Sequence, residues 1–418
     1  MRILALQRTR IKFSQFLHYR LLNEREGKFL PALKEIRIAD RSSVDLSAIF
    51  VTLSDKIQYV EDNSVSEETI EFTRTFLSLL VKKSPYIHHL VLRGGCSIDP
   101  SYILAFKSLR RLELSLTNTF LSSEFLEEMG NMGDLVGLVL HVGPTTPSLL
   151  SRRSLQKRLL PRFPRKFCYL KDLELIGTIS AVSRFLGFTY LTRLTSLTIK
   201  EEPEPTDIQA ERFWIESFGR LQVSPYFESV EIQQSAQRRW GHPDYSLSIH
   251  SISPLLRLRT LKHLKIEGGS FCATDDGIFE TLKSLPNLIR LSLPEEWHTS
   301  CPTIAALAYI SSNNPKLNEL KIPLAGDIEH SCSIMSDSID RTAHEHYNSQ
   351  LRHLHLATRF GPLSLKQMVV LGKFLNRSFP LLNKLEGYGA YSASESWDQV
   401  HEVQTALQAE AKFHNAKN

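Results

Sequence analysis

One short apolar pattern recurs along almost the whole chain and limits the folds that the chain can adopt. The pattern is L-x-x-L-x-L, in which isoleucine, valine or phenylalanine can replace leucine. Its eleven clear copies begin at Leu33, Ile87, Leu109, Leu135, Leu170, Leu194, Phe227, Leu261, Leu288, Leu317 and Leu351. A degenerate copy at Ile57 and a last one at Leu382 make thirteen units, whose starts lie 22 to 35 residues apart. Such a period indicates a repeat protein.

Each copy has the alternation of a β-strand, because its fourth and sixth residues point to one face and its fifth to the other. Six residues cannot bury an apolar face alone, so the units must stack and share one core. The segments between the units have apolar residues at steps of three and four, and a proline often follows them, as in Glu68 to Pro85 and Leu363 to Pro380. These features predict helices.

The succession of strand, turn and helix predicts an α/β leucine-rich-repeat solenoid. We expect a horseshoe with parallel strands on its concave face and helices on its convex face. Leucines scattered by chance in a helical protein would not give so many copies, and a βαβ domain would show continuous apolar strands and glycine-rich turns. The solenoid further predicts that nine leucines are buried in its core: Leu90, Leu92, Leu112, Leu114, Leu138, Leu140, Leu264, Leu320 and Leu354.

The sequence predicts that the chain has three parts and that it is a monomer. Residues 1–28 are expected to form a helical N-terminal cap, in which Phe13, Phe16, Leu17 and Leu21 are the apolar residues. Residues 29–393 form the solenoid, and residues 394–418 form a capping helix and a tail. In that helix Ser396 and Gln399 fit a capping box. One mostly apolar face of it would cover the last repeat: Trp397, Val400, Gln404, Leu407 and Ala411.

Sequence signatures of catalysis and metal binding do not occur. The chain has no GxGxxG, Walker loop, HExxH or GxSxG, and its five cysteines include no CxxC pair. The cluster His344-Glu345-His346 consists of adjacent residues, which do not converge on one ion. We therefore expect no enzyme activity, no cofactor and no metal.

Charge and hydropathy limit the classes of partner and the cellular compartments that the sequence predicts. The 50 basic and 45 acidic residues give a net charge of +5, too small an excess to favour nucleic acid or an anionic membrane. No segment has the length and apolar character of a signal peptide or a membrane span, which predicts a cytoplasmic or nuclear protein. The basic stretch Arg152–Lys166 is a solvated loop, a nuclear-import signal or a contact for an acidic partner. It could also pair with the acidic loop Glu201–Pro205.

The strand register predicts which side chains line the concave face. Positions 3, 5 and 7 of the twelve units with the full motif carry eight Lys or Arg and eight Asp or Glu residues. A polyanion-binding face would be one-sidedly basic, whereas a balanced mosaic suits a protein partner. The candidate protein-binding residues are His89, Arg93, Arg111, Glu113, Asp172, Glu174, His263, Lys265, Glu267, Arg290, Glu319, Lys321, His353 and His355.

Several motifs resemble the F-box and leucine-rich-repeat proteins that mushroom-forming fungi carry in large numbers. They are FLPALKEIRI, SLLVKKSPYIHHLVLRG and FKSLRRLELSL, and CATDDGI shows a weaker similarity to the cysteine-containing subtype of the repeat. The resemblance covers roughly residues 28 to 390. It implies a substrate receptor of a Skp–cullin–F-box ubiquitin ligase.

The resemblance does not extend to the F-box. Residues 1–28 contain no F-box pattern, and Leu30-Pro31 with Glu35-Ile36 already belongs to the first repeat. The chain is therefore expected to bind a Skp-type adaptor only if an F-box lies upstream. The alternative is a free-standing repeat scaffold or regulator that has no connection with ubiquitin.

Overall fold

The chain forms two compact units, Met1–Glu202 and Pro203–Asn418. The structure is a computed structural model, and each unit is described by itself. The described residues are 3–6, 32–39, 49, 53–96, 98–99, 101–117, 121, 123–143, 165–203, 210–221, 224–235, 247–269, 271–294, 301–325, 349–358, 363–389 and 393–417.

The first unit is built on parallel strands that follow one another in chain order. Its strands are β1 (Ile3–Leu6), β2 (Glu35–Ile38), β3 (Tyr59–Val65), β4 (His89–Gly94), β5 (Arg111–Leu116), β6 (Gly137–Val142), β7 (Arg165–Lys166), β8 (Asp172–Gly177), β9 (Thr189–Tyr190) and β10 (Ser196–Glu201). The short strands β7 and β9 pair with each other, and the other eight belong to the main sheet.

The helices of the first unit lie in the segments between its strands. They are α1 (Ile70–Lys83), α2 (Ser101–Leu104), α3 (Ser123–Gly130) and α4 (Ile179–Phe188). Helix α1 buries Thr73, Phe76, Leu77 and Leu80, which share one face because they are three or four residues apart. Helix α4 begins at the N-cap Thr178, whose side chain accepts a hydrogen bond from the backbone of Ala181.

The second unit repeats this arrangement with six main strands. Its strands are β11 (Ser229–Gln233), β12 (Leu247–Ser248), β13 (His263–Glu267), β14 (Phe271–Cys272), β15 (Arg290–Ser292), β16 (Glu319–Leu324), β17 (His353–Thr358) and β18 (Lys384–Gly389). Strands β12 and β14 pair separately. Its helices are α5 (Ala210–Leu221), α6 (Ile249–Ile252), α7 (Asp275–Ser284), α8 (Ile304–Asn313), α9 (Leu365–Ser378) and α10 (Ala393–Lys417).

The apolar positions of the repeated pattern lie next to one another on successive strands and form a ladder of buried side chains. In the first unit the register aligns Leu90, Leu112, Leu138, Leu173 and Leu197 on successive strands. In the second unit a similar ladder runs through Leu264, Leu291, Leu320 and Leu354. All nine leucines predicted to be buried are at most 2% exposed. Each unit is thus an α/β leucine-rich-repeat solenoid, as the sequence predicts.

The prediction of a helical segment over residues 1–28 is wrong at Ile3–Leu6, which forms strand β1. This strand pairs with β2 and places Leu4 opposite Ile36 and Leu6 opposite Ile38. Pairing satisfies backbone groups of β2 that would otherwise form an open sheet edge. The four apolar residues that suggested a helix lie between residues 13 and 21, outside the described residues.

Helix α10 packs against α9 and β18 of the same unit. Trp397 is 1% exposed, and its indole N–H donates a hydrogen bond to Thr358 Oγ1 at 3.1 Å. The last strand has Gly387 at the position that Leu356 occupies in the strand before. A Cβ on Gly387 would collide with the indole of Trp397. The last copy of the motif therefore has glycine in place of leucine at this position because the side chain of Trp397 occupies the space.

Two polar residues of α10, Ser396 and Gln404, form hydrogen bonds that support this packing. Ser396 lies inside the helix rather than at its cap, and its hydroxyl accepts a hydrogen bond from the backbone of Leu363 at 3.2 Å. The capping-box prediction is therefore wrong, because the helix begins earlier, at Ala393. Gln404 is fully buried, and its Nε2 donates to the carbonyl of Leu382 at 3.3 Å, which explains a polar residue on the buried face.

Candidate functional site

The face of each unit's sheet opposite the leucine core carries polar side chains, and we call it the polar face. Candidate residues on the polar face of the first unit are His89, Arg93, Arg111, Glu113, Asp172 and Glu174. The second unit contributes His263, Lys265, Glu267, Arg290, Glu319, Lys321, His353 and His355. All of them are exposed or half-buried. The strand alternation explains this placement.

Most charges on the polar face of the first unit pair with a charge on a neighbouring strand. Arg93 bridges two carboxylates: its Nη1 lies 3.0 Å from Glu61 Oε1, and its Nη2 donates to Glu113 Oε2 at 3.0 Å. Arg37 also pairs with Glu61. Lys200 Nζ lies 2.6 Å from Glu174 Oε1. The pairs of Arg37, Glu61, Arg93 and Glu113 form a network across strands β2 to β5, and Lys200 with Glu174 forms a separate pair.

Glu61 is a centre of this network that the sequence reasoning missed, because it lies in the degenerate copy that begins at Ile57. Burial alone would raise its pKa, but hydrogen bonds from Asn63 and Tyr59 and the charges of Arg93 and Arg37 lower it. Burial and the hydrogen bond to Glu61 raise the pKa of Tyr59 to about 12. At neutral pH Glu61 is therefore ionised and Tyr59 keeps its proton.

A hollow of about 350 Å³ opens on this face around Gly137. Its floor is Gly137 and Val139 of β6, and we call it the Gly137 hollow. Its walls are residues of the neighbouring strands: His89, Arg111 and Glu113 on one side, and Asp172, Glu174, Ser196 and Thr198 on the other. The hollow exists because glycine occupies a position where the neighbouring strands present Arg111 and Asp172.

Two opposite charges border this hollow without an ion pair. The Arg111 side chain extends over Gly137, since a Cβ on the glycine would lie 2.9 Å from Arg111 Cγ. Within the described part of the chain, neither Arg111 nor Asp172 forms a side-chain ion pair. The other full charges at these strand positions from β2 to β10 are paired. Arg111 and Asp172 can therefore accept new partners without breaking an ion pair among the described residues.

The polar face of the second unit is also cross-linked by charge pairs. Lys265 Nζ lies 2.9 Å from both Glu231 and Glu267, and these hydrogen bonds and charges outweigh burial and raise its pKa. Arg290 pairs with Glu319 at 2.7 Å. Farther along this sheet, Lys384 Nζ pairs with Glu386 Oε1 at 2.5 Å, and Glu386 Oε2 lies 2.6 Å from Nδ1 of His355, within hydrogen-bond distance.

Burial favours the neutral form of three histidines of the polar faces by lowering the pKa of each. Burial lowers the pKa of His89, and the charge of Arg111 lowers it further. Burial and then the charge of Arg290 lower the pKa of His263. Burial also lowers the pKa of His355, although Glu386 acts in the opposite direction. All three therefore bind protons less readily than in the unfolded chain.

This difference predicts that the melting temperature falls as the pH decreases from about 7 to about 5. Below the ordinary histidine pKa of 6.5 the unfolded chain takes up protons before the folded chain does, which favours unfolding. Above that value both states are neutral, and these residues contribute no pH dependence. The melting temperature of a triple variant, His89→Gln, His263→Gln and His355→Gln, should decrease by less over this pH range than that of the wild type. An equal decrease in both proteins would contradict the prediction.

No described helix is long and apolar enough to cross a membrane. In the same part of the chain, no group of three His, Cys, Asp or Glu residues is placed to hold a metal ion. The cluster His344-Glu345-His346 lies outside the described residues, as does most of the basic stretch Arg152–Lys166. Only its last two residues are described, and they form β7.

Comparison with known proteins gives matches among solved structures only. No family model matches the chain, and no curated protein matches it. The leucine-rich-repeat protein LegL7 of Legionella pneumophila is 10% identical with a TM-score of 0.36, over 88% of this chain and 97% of that one. The yeast Rad7–Elc1 complex is 14% identical with a TM-score of 0.34, over 92% and 86%. PEPR1–AtPEP1 is 14% identical with a TM-score of 0.33, over 86% and 46%.

Proposed function

We propose that this chain is a non-catalytic protein-interaction module that binds a protein partner on its polar face. The observation that carries the proposal is the Gly137 hollow, where Arg111 and Asp172 are unpaired among the described residues. An open depression with a few available charges is a usual form of a recognition site. Charges that already have partners contribute less, because a new contact must replace an existing one.

The balance of charge supports a protein as the partner. Along the first unit, Arg37, Arg93 and Lys200 alternate with the glutamates that they contact. A nucleic acid would require a row of cations that can each reach a phosphate. A protein surface offers both signs of charge, and complementary placement then determines which partner binds and in which register.

Binding rather than catalysis is proposed because the described residues that line the hollow include no activated nucleophile. Ser196 and Thr198 line it, but no hydrogen bond joins their hydroxyls to a histidine or a carboxylate of the described chain. A serine or threonine nucleophile needs a base within hydrogen-bond reach. The hydroxyls are therefore assigned to hydrogen bonding with the partner.

A finer proposal follows from the sequence resemblance alone. The bound protein would be a substrate, and the chain would present it to a Skp–cullin–F-box ubiquitin ligase. We expect the purified chain to capture its substrate without capturing a Skp-type adaptor. Recovery of the adaptor by this chain would show that it contains a divergent F-box. A partner that is never ubiquitinated would favour the alternative, a free-standing scaffold or regulator.

Charge reversal at the hollow tests the main proposal. The double variant Arg111→Glu with Asp172→Lys keeps the net charge and replaces exposed side chains. We expect it to recover about a tenth of the partner that the wild type recovers from a lysate of the source organism, because two contacts become repulsive. Quantitative mass spectrometry of the captured proteins gives the ratio.

A matched control reverses a charge pair on a helix of the same unit. Glu71 and Arg74 of α1 form an exposed ion pair at 2.7 Å, and the variant Glu71→Arg with Arg74→Glu preserves net charge. It should recover the same partners as the wild type in the same amounts. Equal recovery by the hollow variant, or loss in the helix variant alone, would place the binding surface elsewhere and contradict the proposal.

A further inference from the structure

The arrangement of charge around the Gly137 hollow defines the kind of segment that fits it. Arg111 and Asp172 are register partners of Gly137 on its two sides, so among the described residues the hollow has one cation and one anion that form no ion pair. The described residues of the floor, Gly137 and Val139, bring no charge of their own, and the Arg111 side chain extends over Gly137.

We propose that the Gly137 hollow receives an extended segment of the protein partner that carries an acidic and a basic side chain two residues apart. The acidic side chain meets Arg111 and the basic side chain meets Asp172. This inference rests on the proposed function and adds to it the chemistry of the bound segment.

The distances agree with a segment that runs across the strands. Neighbouring strands are about 4.8 Å apart, so the backbones of Arg111 and Asp172, two strands apart, are separated by about 10 Å. In an extended segment, residues i and i+2 point to the same side and lie about 7 Å apart. The charged groups are closer together than the backbones, because the Arg111 side chain extends over Gly137, which lies between the two residues. Residues i and i+1 point to opposite sides and would not reach both charges.

The other walls of the hollow fit the same segment. Glu113 and Glu174, which flank Val139, are held by Arg93 and Lys200 and so do not compete for the basic side chain. Val139 is half-buried and offers an apolar surface to the methylene stem of a lysine or arginine.

The hydroxyls of Ser196 and Thr198 stand on the wall beyond Asp172 and Glu174. They can donate to or accept from the backbone of the segment. Since a backbone has a direction, these contacts favour one order of the two charged residues over the other.

A randomised peptide library tests this inference on the full chain. The probes are extended nonapeptides, acetylated and amidated so that only side chains carry charge. The wild type should enrich peptides with an acid and a base at spacing two, in one preferred order. Arg111→Ala should remove the preference for the acid, and Asp172→Asn should remove the preference for the base. Each change should weaken a selected peptide about fivefold.

The swap variant Arg111→Asp with Asp172→Arg gives the most specific result. It should reverse the order of acid and base in the enriched peptides, which no effect on stability could produce. As a control, the swap of the ion pair Arg290 and Glu319 in the second unit should leave the enrichment unchanged. Melting temperatures show whether each variant is folded.

Three outcomes overturn the inference: no enriched peptide, enrichment without an opposite-charge pair at spacing two, or an order that the swap does not reverse. None of them contradicts the proposed function, because Arg111 and Asp172 can contact a folded surface of the partner that a short peptide does not reproduce. If the hollow variant still captures the partner, the proposed function fails whatever the library shows.

Discussion

Replacement of Trp397 by alanine is expected to lower the free energy of unfolding of the second unit by about 3 to 5 kcal/mol. The indole fills the space that Gly387 leaves in the last strand, and its N–H is bonded to buried Thr358. Alanine would leave a cavity and a buried hydroxyl without this donor. Urea denaturation should show the loss as an earlier transition of the C-terminal repeats, because a solenoid is stabilised through nearest-neighbour contacts.

Two further variants separate this effect from a general effect of mutating helix α10. Thr405 is exposed on the same helix, and Thr405→Ala should change stability by less than about 0.5 kcal/mol. Gly387→Leu restores the repeat pattern but collides with the indole, so it should destabilise the unit although it makes the motif more regular. A stable Gly387→Leu variant would contradict the assigned role of the glycine.

Leu112→Asp should destabilise the first unit by several kcal/mol, on the order of 4. Leu112 is 1% exposed and lies between Leu90 and Leu138 in the ladder, so an aspartate there would place a charge in an apolar core. The control Arg110→Asp introduces the same side chain at an exposed position two residues earlier. It should unfold at nearly the same urea concentration as the wild type. Similar midpoints for both variants would show that Leu112 is not a core residue.

The strands could be predicted from the sequence because the alternation of apolar and polar residues in each copy of the motif indicates which side chains are buried. Leu112 and Leu114 are buried and Glu113 is not, as strict alternation requires. Strand β1 was not predicted, since the four residues Ile3–Leu6 contain no full copy of the motif. Its pairing with β2 depends on a tertiary contact that local spacing cannot show.

The candidate site was only partly predictable. Alternation places Arg93 and Arg111 on one face, but only the register across strands shows that Arg93 is paired with Glu113 while Arg111 has no ion pair among the described residues. The Gly137 hollow was not predicted. The stacking of the repeats that begin at Leu109, Leu135 and Leu170 was predicted from the motif, but the depth of the hollow depends on how the side chains of the two outer repeats are arranged around the glycine.

Site-specific photo-cross-linking tests most directly the claim that the polar face binds a protein. A benzophenone side chain at Ser115, on the polar face two residues after Glu113, should cross-link to the partner that the wild type captures. The same group at Thr75, exposed on helix α1, should not. Both variants must capture the partner before irradiation, so that only proximity is compared. Cross-linking at Thr75 without cross-linking at Ser115 would show that the partner binds the helices and would contradict the account.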